Sequence, residues 1–314
     1  MMRKALLMIA IPLLASPTLA QEDGAPAPFT IVETGQRFEN LFEAVDAIGD
    51  AQATIRIAPG TYRQCAVQER GEITYRAAIP GQVIFERTTC EGKAALVLRG
   101  RAATVDGIVF RNLRVADDNG AGIRLEKGDL DVFKAMFLDS QQGILSANDP
   151  AGSIRVEDST FSGLGYCPDG GSCAHSIYIG RYGALSVVNS RFERGTGGHY
   201  VKSRAARVEI AGSSFDDTRG HQTNYMIDLP SGAVGSIRGN TFVQGRDKEN
   251  YSALVAVAAE ERDNPSDGLV VADNRASIAP GVDRATTFVV DWSGERIVLA
   301  TNRLGTGLTA FKRQ

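Results

Sequence analysis

One phrase returns through most of the chain: alternating apolar residues, a small polar pair, then a bulky apolar residue. It reads Ile154-Arg155-Val156-Glu157-Asp158-Ser159-Thr160-Phe161, then Leu185 to Phe192, Val208 to Phe215 and Ile237 to Phe242, with later copies at Val270 to Arg275 and Val298 to Leu304. Copies lie about 23 to 34 residues apart, and Ile108 to Leu113 and Val132 to Phe137 are looser versions upstream. Alternation of period two is a strand signal, and a second short apolar strand precedes each copy, as at Ile123 and Leu125, Ile144, Ile177 and Ile179, Val201, and Ile227 and Leu229. Strands at a fixed period with no helix between them predict a stacked coil, in which no unit buries its own apolar face without its neighbours. A propeller has longer repeats and a leucine-rich solenoid has its own phrase, so the expected fold is all-β, a right-handed parallel β-helix.

Such a stack needs a covered end, because an open cross-section exposes apolar side chains and strand edges. Phe38, Leu41, Phe42, Val45 and Ile48 recur at helical spacing, which predicts an amphipathic capping helix over about residues 37–48. Ile55-Arg56-Ile57-Ala58-Pro59-Gly60-Thr61-Tyr62 follows. In this order of helix, strand and Ala-Pro-Gly-x-Tyr turn, the chain resembles the pectin lyase-like superfamily. That resemblance implies the β-helix over nearly all of the chain but no single activity, since the superfold carries lyases, hydrolases, esterases, epimerases and binding proteins.

Residues 1–20 read as a secretory signal: a basic start at Arg3 and Lys4, an apolar run from Ala5 to Leu14 and small residues up to Ala20. The expectation is one domain over residues 21–314, periplasmic or secreted, without a membrane span. Four cysteines suit an oxidising compartment. Cys65 and Cys90 stand about one coil apart and Cys167 and Cys173 bracket a short turn, which suggests these two pairings over zinc ligation, because no Cys-x-x-Cys occurs. The formal net charge is −3, so nothing global points to nucleic acid or a membrane surface.

The three histidines, His175, His199 and His221, fall within two consecutive coils. Aligning the coils on Phe192, Phe215 and Phe242, with a one-residue change in loop length allowed, sets Ile177, Val201 and Ile227 inward together. Tyr178, Lys202 and Asp228 then form one outward column, at the roughly 4.8 Å spacing of neighbouring strands. His175, His199 and Tyr225 form a second column, with Arg204 two residues beyond Lys202. From Cys173 to His221, basic residues, Arg181 among them, outnumber acidic ones, which predicts a basic strip suited to an acidic polysaccharide. Acting on a uronate by elimination or epimerisation needs a base, a cation for the carboxylate and an acid. The candidate catalytic residues are therefore Lys202, His199, Tyr178 and Arg204, with Lys202 as a base whose pKa neighbouring protonated imidazoles would lower. The candidate substrate-binding residues are His175, Tyr225, Asp228, His221 and Arg181.

Val201-Lys202-Ser203 also resembles the Lys-Ser segment bearing the catalytic lysine of β-helical alginate and chondroitin lyases. In those enzymes an arginine follows on the next coil and acidic residues hold calcium; here the next coil supplies Asp228 and Pro230. No acidic calcium cluster is evident, so no cofactor is expected. The Asp-rich arrangement of galacturonan hydrolases and the two aspartates and arginine of pectin methylesterases are also missing from this face. Asp117-Asp118-Asn119 and Asp263 to Gly268 read as solvated acidic turns. The competing expectation is a glycan-binding or envelope scaffold with no catalysis.

Overall fold

The structure is a computed structural model that describes residues 27–167 and 173–314; the expected signal at 1–20 lies outside it. Each coil contributes one strand to each of three parallel sheets. Two of the sheets hold ten strands, and the third holds twelve, beginning with the antiparallel pair Arg37–Phe38 and Phe29–Ile31. The molecule is a right-handed parallel β-helix, the hand that strand twist imposes on parallel crossovers.

The recurring phrase is two strands, where the sequence suggested one. The chain bends between the apolar alternation and the bulky residue, as between Asp149–Glu157 and Thr160–Ser162. The bend is a single left-handed residue, occupied on successive coils by Lys134, Asp158, Asn189, Gly212, Gly239, Asp273 and Thr301. From Ser159 onward the next residue caps the backbone of the preceding coil. Ser190 Oγ accepts from the Ser159 N–H at 3.2 Å, Ser213 Oγ from Ser190 at 3.0 Å, and Asn240 Oδ1 from Ser213 at 2.9 Å. Asn240 Nδ2 then donates to Asn274 Oδ1 at 3.0 Å, and Asn274 Nδ2 to Asn302 Oδ1 at 2.9 Å. This explains the small polar pair: one residue tolerates positive φ and the other satisfies buried backbone. Asn274→Ala orphans its neighbours' donors and is expected to cost about 1–3 kcal/mol, measurable as a lowered urea midpoint with unchanged slope.

The bulky residue stacks inside. Phe85, Phe110, Phe137, Phe161, Phe192, Phe215 and Phe242 form one file, with centroids 4.8–6.1 Å apart. The capping helix runs over Leu41–Ile48, shorter than the sequence suggested. Phe38 belongs to a strand and Phe42 points to solvent; Leu41, Ala44, Val45 and Ile48 cover the core. Disulfides join Cys65 to Cys90 and Cys167 to Cys173.

Candidate functional site

One of the ten-stranded sheets contains Gln142–Ser146, Ile177–Ile179, Val201–Ser203 and Ile227–Leu229 on consecutive coils. Tyr178 pairs in register with Lys202, and Lys202 with Asp228, while Ile177, Val201 and Ile227 face the core. This is the register expected from the phrase. The second column also forms: the rings of His175 and His199 are 4.9 Å apart, and His199 stacks on Tyr225 at 5.5 Å. Gly198 permits the approach, because it holds φ 60° and a Cβ there would stand 2.5 Å from His175 Nδ1.

Both imidazoles are buried, and this overturns the expectation that they carry protons. Burial pushes His175 well below the ordinary histidine value, with His199 and Lys202 adding to it. Burial followed by Lys202 pushes His199 down to about 3. The tautomers follow from the hydrogen bonds. The His199 backbone N–H donates to His175 Nδ1 at 3.0 Å, so that nitrogen is the acceptor. His199 Nδ1 donates to the Tyr225 carbonyl at 3.3 Å, which leaves the Nε2 lone pair facing Asp228 Oδ2 at 3.4 Å. Asp228 is 2% exposed, and burial outweighs its attraction to Lys202, so its carboxyl is pushed up to about 6. Its Oδ1 has no hydrogen-bond partner.

The cations do not form an open basic strip. The loop after Ala253–Val257 folds back over them, anchored where the Glu260 and Glu261 N–H groups donate to the Pro230 carbonyl. Lys202 Nζ donates to Glu260 Oε1 at 2.7 Å and stands 3.4 Å from Asp228. Arg204 donates to the other Glu260 oxygen, to Ser231 Oγ at 2.9 Å and, through Nε, to the Tyr178 hydroxyl at 3.3 Å. Burial raises the Glu260 carboxyl, but the hydrogen bonds from Lys202 and Arg204 outweigh it and hold the group below its usual range. Arg181 pairs with Glu261 and Asp263, so the turn at Asp263 is not simply a solvated loop. Around the coil, Arg191 pairs with Glu193 and Arg194 with Asp139. Sequence reasoning missed Glu260 and Glu261 altogether.

No protein-family model and no curated protein matches the sequence. Among solved structures, the rice weevil pectin methyl esterase superposes with a TM-score of 0.52 at 10% identity, over 93% of this chain and 92% of that one. At that identity the likeness is one of fold, the parallel β-helix. The Geobacillus virus E2 protein ORF18 gives 0.50 at 12% identity, over 87% of this chain and 57% of that one, so this chain spans little more than half its length.

Two further features of this β-helix frame the face. Behind it, Asp217 and Lys248 form an ion pair at 3.2 Å with both side chains fully buried. Asp217 also accepts from Tyr200 at 2.8 Å, Thr223 at 2.8 Å and the Gly245 N–H at 3.3 Å, while Lys248 donates to the Asn224 carbonyl. This network ties together the loops that carry His199 and Tyr225. His221 is not brought into the column: it is largely exposed and pairs with Asp247. In front, a cleft of about 640 Å³ runs from Lys93 and Arg124 to Tyr178, Arg181 and Arg204. Among the described residues, no group of three His, Cys, Asp or Glu side chains is arranged to hold a metal.

Proposed function

We propose that this protein is exported and acts on a uronate-containing polysaccharide, by elimination or epimerisation on the face from His175 to Asp228. The observation that carries the reading is that Lys202 and Arg204 already hold one carboxylate, that of Glu260, by both its oxygens. A uronate carboxylate exchanging with Glu260 meets the same two cations, which neutralise it as charge builds next to the abstracted proton. The pairing of Lys202 with Glu260 and Asp228 suits it to this role rather than to proton removal. A general base works best near the operating pH, and Asp228, raised to about 6 and facing the unprotonated His199 Nε2, meets that need. The Tyr178 hydroxyl, accepting from Arg204 at the cleft edge, keeps its own proton to give to a leaving glycosidic oxygen. Fold likeness to an enzyme named for pectin supports the substrate class, and the two disulfides fit an oxidising compartment.

The second reading is a glycan-binding scaffold. It is favoured by the burial of Lys202, His199 and Asp228 beneath the Glu260 loop.

The test is ultraviolet absorbance of unsaturated uronate product, together with solvent hydrogen exchange into the polymer, against pectate, alginate, glycosaminoglycan and bacterial uronate polymers. The expected result is turnover of one class, reduced about a hundredfold by Lys202→Ala with the far-ultraviolet circular dichroism unchanged. Neither product nor exchange on any polymer overturns the catalytic reading in favour of the scaffold.

A further inference from the structure

The outward column that contains Lys202 continues toward the N-terminus through Tyr178, Leu145 and Arg124, each in register with the next. At the spacing of parallel strands, Arg124 stands about 14 Å from Lys202 along the coil axis. That is further than one pyranose ring reaches. The two positions belong to one surface, because Arg124, Leu145, Tyr178 and Arg204 all line the same cleft.

Arg124 differs from the other cations along this face. Arg99, Arg181 and Arg204 each have carboxylate partners within hydrogen-bond distance. The Nε of Arg124 is buried and has no hydrogen-bond partner. Its closest carboxylate, Glu126, is 3.9 Å away and already accepts from Lys93 at 2.8 Å and Arg99 at 2.6 Å. A buried donor left unmade is costly, and a guanidinium fork answers a planar carboxylate with two parallel bonds. Between Arg124 and Tyr178 the floor is apolar: Leu145 belongs to a small outward cluster with Ala94, Val97 and Ala121, against which Tyr178 packs. Cations at either end of an apolar floor match a sugar chain that offers one ring face to the surface and its carboxylates to the rim.

We infer that Arg124 forms a second acidic-sugar subsite, three coils N-terminal to Lys202, which takes the carboxylate of another uronate in the same chain. The inference rests on the function proposed above, and it adds that recognition requires an oligomer with more than one free carboxylate.

The test is calorimetric titration of the full chain with oligogalacturonates of graded length and with their carboxyl-reduced counterparts. Wild-type affinity is expected to rise with length once both positions are spanned, and the reduced oligomers are expected to bind weakly. Arg124→Gln is expected to lose about tenfold to a hundredfold in affinity for the long oligomers and nothing for the shortest. Arg124→Lys, which keeps the charge but not the fork, is expected to recover only part of the loss, with both variants melting as the parent does. If Arg124→Gln binds long oligomers as tightly as the parent while Lys202→Ala weakens every length, the subsite is overturned and the proposed function stands. If the parent binds no oligogalacturonate, the titrations are repeated with oligomers of the other three uronate polymers, and binding to none of them overturns both.

Discussion

Replacing Lys248 with methionine is expected to destabilise the protein by about 3–5 kcal/mol, the usual cost of leaving one member of a buried ion pair without the other. Asp217 would keep its bonds to Tyr200, Thr223 and Gly245 but would hold a charge with no counter-ion in a fully buried place. Burial pushes the Lys248 pKa down despite the neighbouring carboxylate, so desolvation is the larger effect on the lysine. Removing both charges together should therefore be tolerated far better than removing one, and Asp217→Leu with Lys248→Met is expected to regain much of the loss. Urea unfolding of the two single variants and the double variant measures the coupling. A Lys248→Met midpoint close to the parent's would mean that the pair does not hold these loops. The damage should also reach the face, because Thr223 bridges to Gly198 on one side and to Lys248 on the other, and Gly198 precedes His199. Weakened uronate binding by Lys248→Met, partly restored in the double variant, is the corresponding functional readout.

Why some of this was legible in the sequence and some was not follows from what repeats. A solenoid forces residues one period apart into register, so the columns Tyr178, Lys202, Asp228 and His175, His199, Tyr225 could be aligned from the stacked phenylalanines once a one-residue difference in loop length was allowed. Loops are not bound by the period. Glu260 lies 58 residues from Lys202 and reaches it only because the loop after Ala253–Val257 turns back toward Pro230. The same holds for Asp217 and Lys248, which sit in loops of different coils and face inward where their sequence suggests surface. Counting basic residues between Cys173 and His221 misread the electrostatics for this reason, since the carboxylates that neutralise Arg181, Lys202 and Arg204 come from outside the window. The helix misread was of another kind: Phe38 and Phe42 fit a helical stripe, but pairing of Arg37–Phe38 with Phe29–Ile31 claims the first.

Asp228→Asn is expected to be more stable than the parent near neutral pH and to lose that advantage as the solution is acidified. The folded carboxyl titrates at about 6 against an ordinary 3.8, so above pH 6 the fold carries the cost of a buried charge, about 3 kcal/mol for a shift of this size. As the pH falls from 6 toward 3.8 the folded chain takes up this proton before the unfolded chain does, and the cost is relieved. His175 and His199 act in the opposite sense. Their folded pKa values lie below the ordinary 6.5, so the unfolded chain binds protons that the folded chain refuses, and stability drains away as pH drops below 6.5. Between pH 6 and 3.8 the proton that folded Asp228 takes up offsets part of the proton release caused by the two histidines, an offset that the asparagine variant lacks. Stability should therefore fall more steeply with acid in the variant than in the parent. Urea midpoints of both proteins from about pH 7 to about pH 4 test this, since titrations elsewhere are common to the two curves. Curves separated by a constant gap would mean that Asp228 does not titrate in this window, and its place as the proton acceptor of the face would go with it.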